Sequence, residues 1–160
     1  MPQYQPDLTT ITAGFELLPD GVYEFLVGAP KPWERNDETK GLSHGIRYAL
    51  TVNEIIEGEG IADRVGKRVV FTCRMHDDMG SAFAKQFLMA AKGYGMKEEQ
   101  QFNADNADAD WSYDTEDKTA GEIWTSIEGS TVHAVVSTRP NKQDPDHEGF
   151  QEFTWIKKTA

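Results

Sequence analysis

Apolar and polar side chains alternate with a period of two in several short runs of this chain, and that alternation limits its fold more than any other feature. Pro19-Asp20-Gly21 is a turn signal, and after it Tyr23, Phe25 and Val27 interleave with Val22, Glu24 and Leu26. Ile46, Tyr48, Leu50 and Val52 then interleave with Arg47, Ala49, Thr51 and Asn53, and Val69, Phe71 and Cys73 with Arg68, Thr72 and Arg74. Successive side chains of a strand point to opposite faces, so each run is a strand with one apolar and one polar face. Two further strand-like runs, 122–139 and 149–158, close the chain.

The period changes once. Phe83, Phe87 and Ala90/Ala91 recur at helical spacing, Ser81 is placed to cap the start, and Gly93 to stop the end. The order is strand, strand, strand, helix, strand, strand. That is the element order of a mainly β, five-stranded antiparallel Greek-key barrel of OB-fold type, with one helix between strands 3 and 4. A two-sheet sandwich is the alternative. The 160 residues suffice for a single domain over 1–160, with 1–14 as a loose polar arm. No apolar run reaches the ~18 residues of a membrane helix. The lone cysteine, Cys73, and the lack of a secretory leader pattern point to the cytoplasm, with no membrane partner.

Net charge is −11, but it is unevenly spread. Residues 98–122 hold nine carboxylates and one lysine, Lys118, hence −8, which leaves −3 for the rest. Trp111 and Tyr113 interrupt this acidic insertion and are expected to pin it down. The remainder is close to balanced, so the total does not exclude a polyanionic partner.

No catalytic constellation stands out, and the chain reads as a non-enzyme without a cofactor. Cys73, His76, Asp77 and Asp78 lie close together but lack the second ligand pair of a structural zinc site. Asp144–Gly149 lacks the ligand alternation of a calcium loop and reads as a turn. Binding residues are easier to find. A polar stretch with two prolines, 30–43, is expected to be a long loop holding Lys31, Trp33, Arg35 and Lys40. A second loop, 139–149, holds Arg139 and Lys142 and leads to Phe150. In a five-stranded barrel these loops flank the ligand face. Arg47, Arg68 and Arg74 lie on the polar faces of the strands between them. Cations that follow phosphates and rings on which bases stack are what a single strand of nucleic acid requires.

The motifs "LPDGVYEFLV", "YALTVNEIIEGEG", "VGKRVVF", "FAKQFLMAAKGYG" and "FTWIKK" resemble those of small bacteriophage-encoded single-stranded-DNA-binding proteins, from about residue 17 to 158. The resemblance implies an OB-fold protein that coats single-stranded DNA during phage replication or recombination. Many such proteins end in an acidic tail that recruits partners, whereas this chain carries its acidic run internally. The resemblance thus offers 98–122 as a docking segment for phage or host replication and recombination proteins. Self-association is left open. The rival reading is an acidic protein–protein module, a phage accessory or inhibitor that mimics DNA. Lys31, Trp33, Arg35, Lys40, Arg47, Arg74, Arg139, Lys142 and Phe150 are the expected nucleic-acid contacts.

Overall fold

The computed structural model describes residues 3, 18–39, 41–58, 65–139, 143 and 150–157. In chain order these form β1 (Gly21–Asp37), β2 (Gly41–Glu57), β3 (Arg68–Arg74) and helix α1 (Asp78–Ala91). A short 3-10 turn (Met96–Glu98) leads into α2 (Glu99–Asp105), a two-residue-per-strand hairpin of β4 (Tyr113–Asp114) and β5 (Thr119–Ala120), and α3 (Glu122–Thr125). Strands β6 (Thr131–Arg139) and β7 (Phe150–Ile156) follow. The protein is mainly β. Five strands pair antiparallel in the order β3-β2-β1-β6-β7.

Several expectations need correction. More than one helix separates the third strand from the fourth long one, because α2 forms within the acidic segment and α3 begins at its last residue. Residues 122–125, read as strand, are helical, and β6 begins only at Thr131. The sheet is also open. Among the described residues no backbone pairing joins its edge strands, β3 and β7. Side chains bridge them instead: the Phe71 ring lies 4.7 Å from that of Trp155 and 6.3 Å from that of Phe153.

The expected loop 30–43 is not a loop. β1 and β2 continue as a hairpin from Lys31↔Arg47 through Trp33↔Gly45 and Arg35↔Ser43 to Asp37↔Gly41. Its turn is fastened by the Asp37 carboxylate, which accepts from the Thr39 amide at 2.8 Å, and Gly41 takes the positive φ of 84° that the return requires. Pro30 and Pro32 read as strand breakers, yet β1 pairs with β6 only as far as Leu26. Val27 still bonds Ser130 and Gly129, but beyond it no strand among the described residues pairs with that edge of β1, and a proline facing it loses no ladder hydrogen bond.

The apolar faces converge as the alternation requires. Tyr23, Phe25 and Val27 meet Ile46, Tyr48, Leu50, Val52 and Cys73, with Val132, Ala134 and Val136 from β6. Trp155 is buried on this side of β7, with Phe153 partly buried beside it, which fixes the buried face of that strand. Helix α1 covers the core with Ala84, Phe87 and Leu88. The Phe87 ring sits 5.1 Å from Tyr48, 4.9 Å from Phe71 and 4.8 Å from Trp155, and such pairs each contribute ~0.5–1.5 kcal/mol beyond burial. Asp77, rather than Ser81, caps α1, accepting from the Gly80 amide at 2.6 Å. Gly93, with φ 89°, ends it as expected.

The acidic segment is pinned by its aromatics. Phe102 is fully buried beside Tyr94 and Trp111, Trp111 meets Trp124 edge to face, and the Trp124 indole N–H donates to the Trp111 carbonyl at 2.8 Å. Two contacts hold this unit to β2. The Tyr48 hydroxyl donates to the Trp124 carbonyl at 2.7 Å, and His44 Nδ1 is hydrogen-bonded to the Tyr113 hydroxyl. Lys157 adds an ion pair with Glu98 at 2.6 Å.

Candidate nucleic-acid interface

Strand register decides which predicted site residues share a face. Directly opposed residues in a sheet point the same way, so the rows Lys31–Arg47–Thr72 and Trp33–Gly45–Arg74 lie on one side, followed by Arg35–Ser43. Ala49–Val70 and Thr51–Arg68 extend the same side in the other direction. This is the side away from Ile46, Tyr48 and Leu50. Lys31, Arg35, Arg47, Arg68 and Arg74 are all exposed on it, and none of the outward positions just named carries a carboxylate. Among the described residues no acidic side chain forms a salt bridge with any of these five cations.

The acidic segment lies elsewhere. His44 and Tyr48, which anchor the acidic segment, occupy the opposite parity of β2 from Arg47. The segment therefore packs on the core side of the sheet, and the cations face away from its attachment. Several of its carboxylates are held ionised by local donors. Asp110 lies below its ordinary range because Ser112 donates through both hydroxyl and amide, and Asp105 because Tyr94 and Gln101 donate to it.

Trp33 is half-buried and belongs to a strand. Its direct partner, Gly45, offers no side chain, and the ring instead meets the diagonal neighbour Arg47, whose guanidinium carbon lies 4.9 Å from the ring centroid. Gly45 is obligatory here, since a Cβ would overlap the Cys73 carbonyl oxygen on β3. Lys31 directly opposite Arg47 is a like-charge pair, unfavourable unless an anion lies between them.

The remaining predicted residues divide differently. Arg139 ends β6, which lies beyond β1 from β2 and β3, and is ion-paired with Glu152 at 3.4 Å, so it is not part of the β1–β3 cluster. Phe150 opens β7 opposite Arg139, but its side chain, like Lys40, Lys142 and most of the 139–149 stretch, lies outside the described residues.

Sequence reasoning missed a groove between the sheet edges. It has a volume of about 590 Å³, with Phe71, Phe153 and Trp155 in its lining, Arg74 contributed by β3 and Arg139 by the end of β6. Phe83 and Met79 of α1 also line it and are 50% and 71% exposed. Phe83 had been assigned to the apolar face of the helix by its spacing. Its exposure is the signal, and only the packing of α1 reveals it. No helix among the described residues is long and apolar enough to cross a membrane. Comparison with known proteins finds no matching family model and no curated protein of significant sequence similarity.

Proposed function

We propose that this protein binds single-stranded DNA without catalysing a reaction on it, through the outward face of β1, β2 and β3. One observation carries the reading: Lys31, Trp33, Arg35, Arg47 and Arg74 lie on one exposed side of three adjacent strands, opposite the attachment of the acidic segment. Phosphates would bridge the Lys31–Arg47 pair and run toward Arg35 or Arg74. A base would stack on Trp33, whose ring Arg47 already orients. Little base-edge readout is offered, so binding would be largely independent of sequence.

The architecture is compatible with this use. Strand β6 lies beside β1 after β1–β2–β3 run consecutively, the spatial order of a Greek key. Together with the rings that bridge β3 and β7, this favours a partly open OB-type barrel, a fold whose strand 2–3 face binds oligonucleotides. The resemblance of its motifs to those of phage-encoded single-stranded-DNA-binding proteins supports a role in phage DNA replication or recombination, in the host cytoplasm.

The test is an electrophoretic shift with single-stranded and duplex oligonucleotides at two salt concentrations. Preferential, salt-sensitive retardation of the single strand is expected. A preference for duplex, or no shift at either concentration, would overturn the proposal.

A second reading has its own observation. Asp105, Asp108, Asp110, Asp114, Glu116, Asp117 and Glu122 are exposed on a segment folded around its own aromatics, as an acidic docking unit for a basic partner protein would be. Changing Asp108, Asp114 and Asp117 to Asn separates the two. DNA affinity should persist or rise if β1–β3 is the binding face.

A further inference from the structure

The groove between β3 and β7 adjoins the β1–β3 face, because Arg74 belongs to both: it is in the Trp33–Gly45 row and it lines the groove. Its volume of about 590 Å³ lies within the ~300–1,000 Å³ of clefts that hold small organic groups. The lining is unusual for an exposed surface. Phe71, Phe153 and Trp155 present rings, Phe153 and Trp155 being nearly parallel at 6° with centroids 5.4 Å apart. Phe83 is half-exposed beside them. The Trp155 residue is 4% exposed, and its indole N–H, itself buried, has no partner.

Two occupants suit rings and an open cleft: an apolar peptide and a nucleobase. Charge favours the base. The lining contains Arg74 and Arg139 but a single carboxylate, Glu152, already engaged by Arg139 at 3.4 Å. Both partners of that pair are well exposed, the kind of contact worth little in water. An apolar peptide would leave Arg74 without a counterpart.

We infer that the groove is a nucleobase subsite, in which a strand crossing β1–β3 turns over the β3 edge at Arg74 and seats one base against Phe83 and Phe153. The inference rests on the proposed DNA-binding function. It adds a second stacking position beyond Trp33, so the protein engages a longer stretch of strand than the β1–β3 face alone can hold. Arg74 serves the phosphate between the two positions.

Phe83 is the residue to change, because its exposure makes Phe83→Ala compatible with folding. An oligo(dT) length series, read by fluorescence anisotropy, should show Phe83→Ala weakening binding of long oligonucleotides by about 5- to 150-fold, the value of one stacked base. Short oligonucleotides held by β1–β3 should be unaffected, and Phe83→Trp should restore the loss. Photo-crosslinking with 5-iodouracil should label peptides containing Phe83 or Phe153 only with the longer strands.

Wild-type affinity for Phe83→Ala at every length, with Trp33→Ala impaired, would overturn the subsite and leave the DNA-binding face standing. No binding by the wild-type protein at any length would overturn both. Loss of self-association in Phe83→Ala, with DNA affinity unchanged, would overturn the subsite in favour of a second copy of this chain.

Discussion

Trp33→Ala separates the two things the Trp33 ring is asked to do. The ring is half-buried, with the Arg47 guanidinium 4.9 Å from its centroid. That cation–π contact is present with or without DNA. Its loss, ~0.5–1 kcal/mol at an exposed site, should therefore appear in stability and not in affinity. The stacked base exists only in the complex, so its loss, ~1–3 kcal/mol, should appear in affinity, as a roughly 5- to 150-fold weaker complex. No charge is removed, and the dependence of affinity on salt should keep its wild-type slope. Trp33→Phe keeps a flat ring and should recover most of the affinity. Anisotropy of a labelled oligo(dT), with circular-dichroism melting as the folding control, reads both effects. A folded Trp33→Ala protein that binds with unchanged affinity would show that the ring only packs its hairpin, and the stacking argument would fail.

Other consequences concern the scaffold. Tyr48→Phe removes the buried hydroxyl that donates to the Trp124 carbonyl, leaving that oxygen unpaired at a cost of ~1–3 kcal/mol in urea unfolding; no change would mean the acidic segment does not depend on this bond. Gly45→Ala forces a methyl into the Cys73 carbonyl and should cost ~1–3 kcal/mol of overpacking, seen as a lower melting temperature, with DNA affinity reduced because Arg74 is displaced. An unchanged melting temperature would refute the close approach of β2 and β3. Burial raises the Cys73 thiol and the Tyr48 phenol above their ordinary values. The unfolded chain releases these protons from about pH 8.5 and pH 10 while the folded chain retains them, so each group costs about 1.4 kcal/mol per pH unit above its unfolded pKa. Stability should fall through this alkaline range, and Tyr48→Phe should flatten the fall above pH 10; equal slopes for both proteins would contradict the assignment.

What the sequence made legible is what periodicity encodes. Tyr48 and its neighbours in β2, and Val69, Phe71 and Cys73 in β3, occupy the faces their alternation assigns. Parity also holds Lys31, Trp33 and Arg35 on one side of β1, although they were expected in a loop. The loop is misread because Pro30 and Pro32 are local signals, whereas the end of β6 pairing near Val27, with no other described strand on that edge, is a property of the whole sheet. The buried face of β7 is not legible for a related reason. Phe153 and Trp155 share one parity of "FTWI" and Ile156 has the other, and only the position of Phe87 selects one. Within 98–122, carboxylates obscured the short helices that Phe102 and Trp124 stabilise by packing. Arg139 shows the limit of counting cations: the sequence supplies its charge, and the fold supplies Glu152 to neutralise it.

The central claim is that a phosphate backbone lies across Lys31, Arg35, Arg47, Arg68 and Arg74, and the salt dependence of oligo(dT) affinity measures it directly. Five contacts on a single strand give a slope of log K against log salt of about −3.5, roughly a hundredfold loss for a fourfold rise in salt. Lys31→Ala with Arg47→Ala should bring the slope to about −2.1. A slope near zero, or one that the double substitution leaves unchanged, would contradict the account.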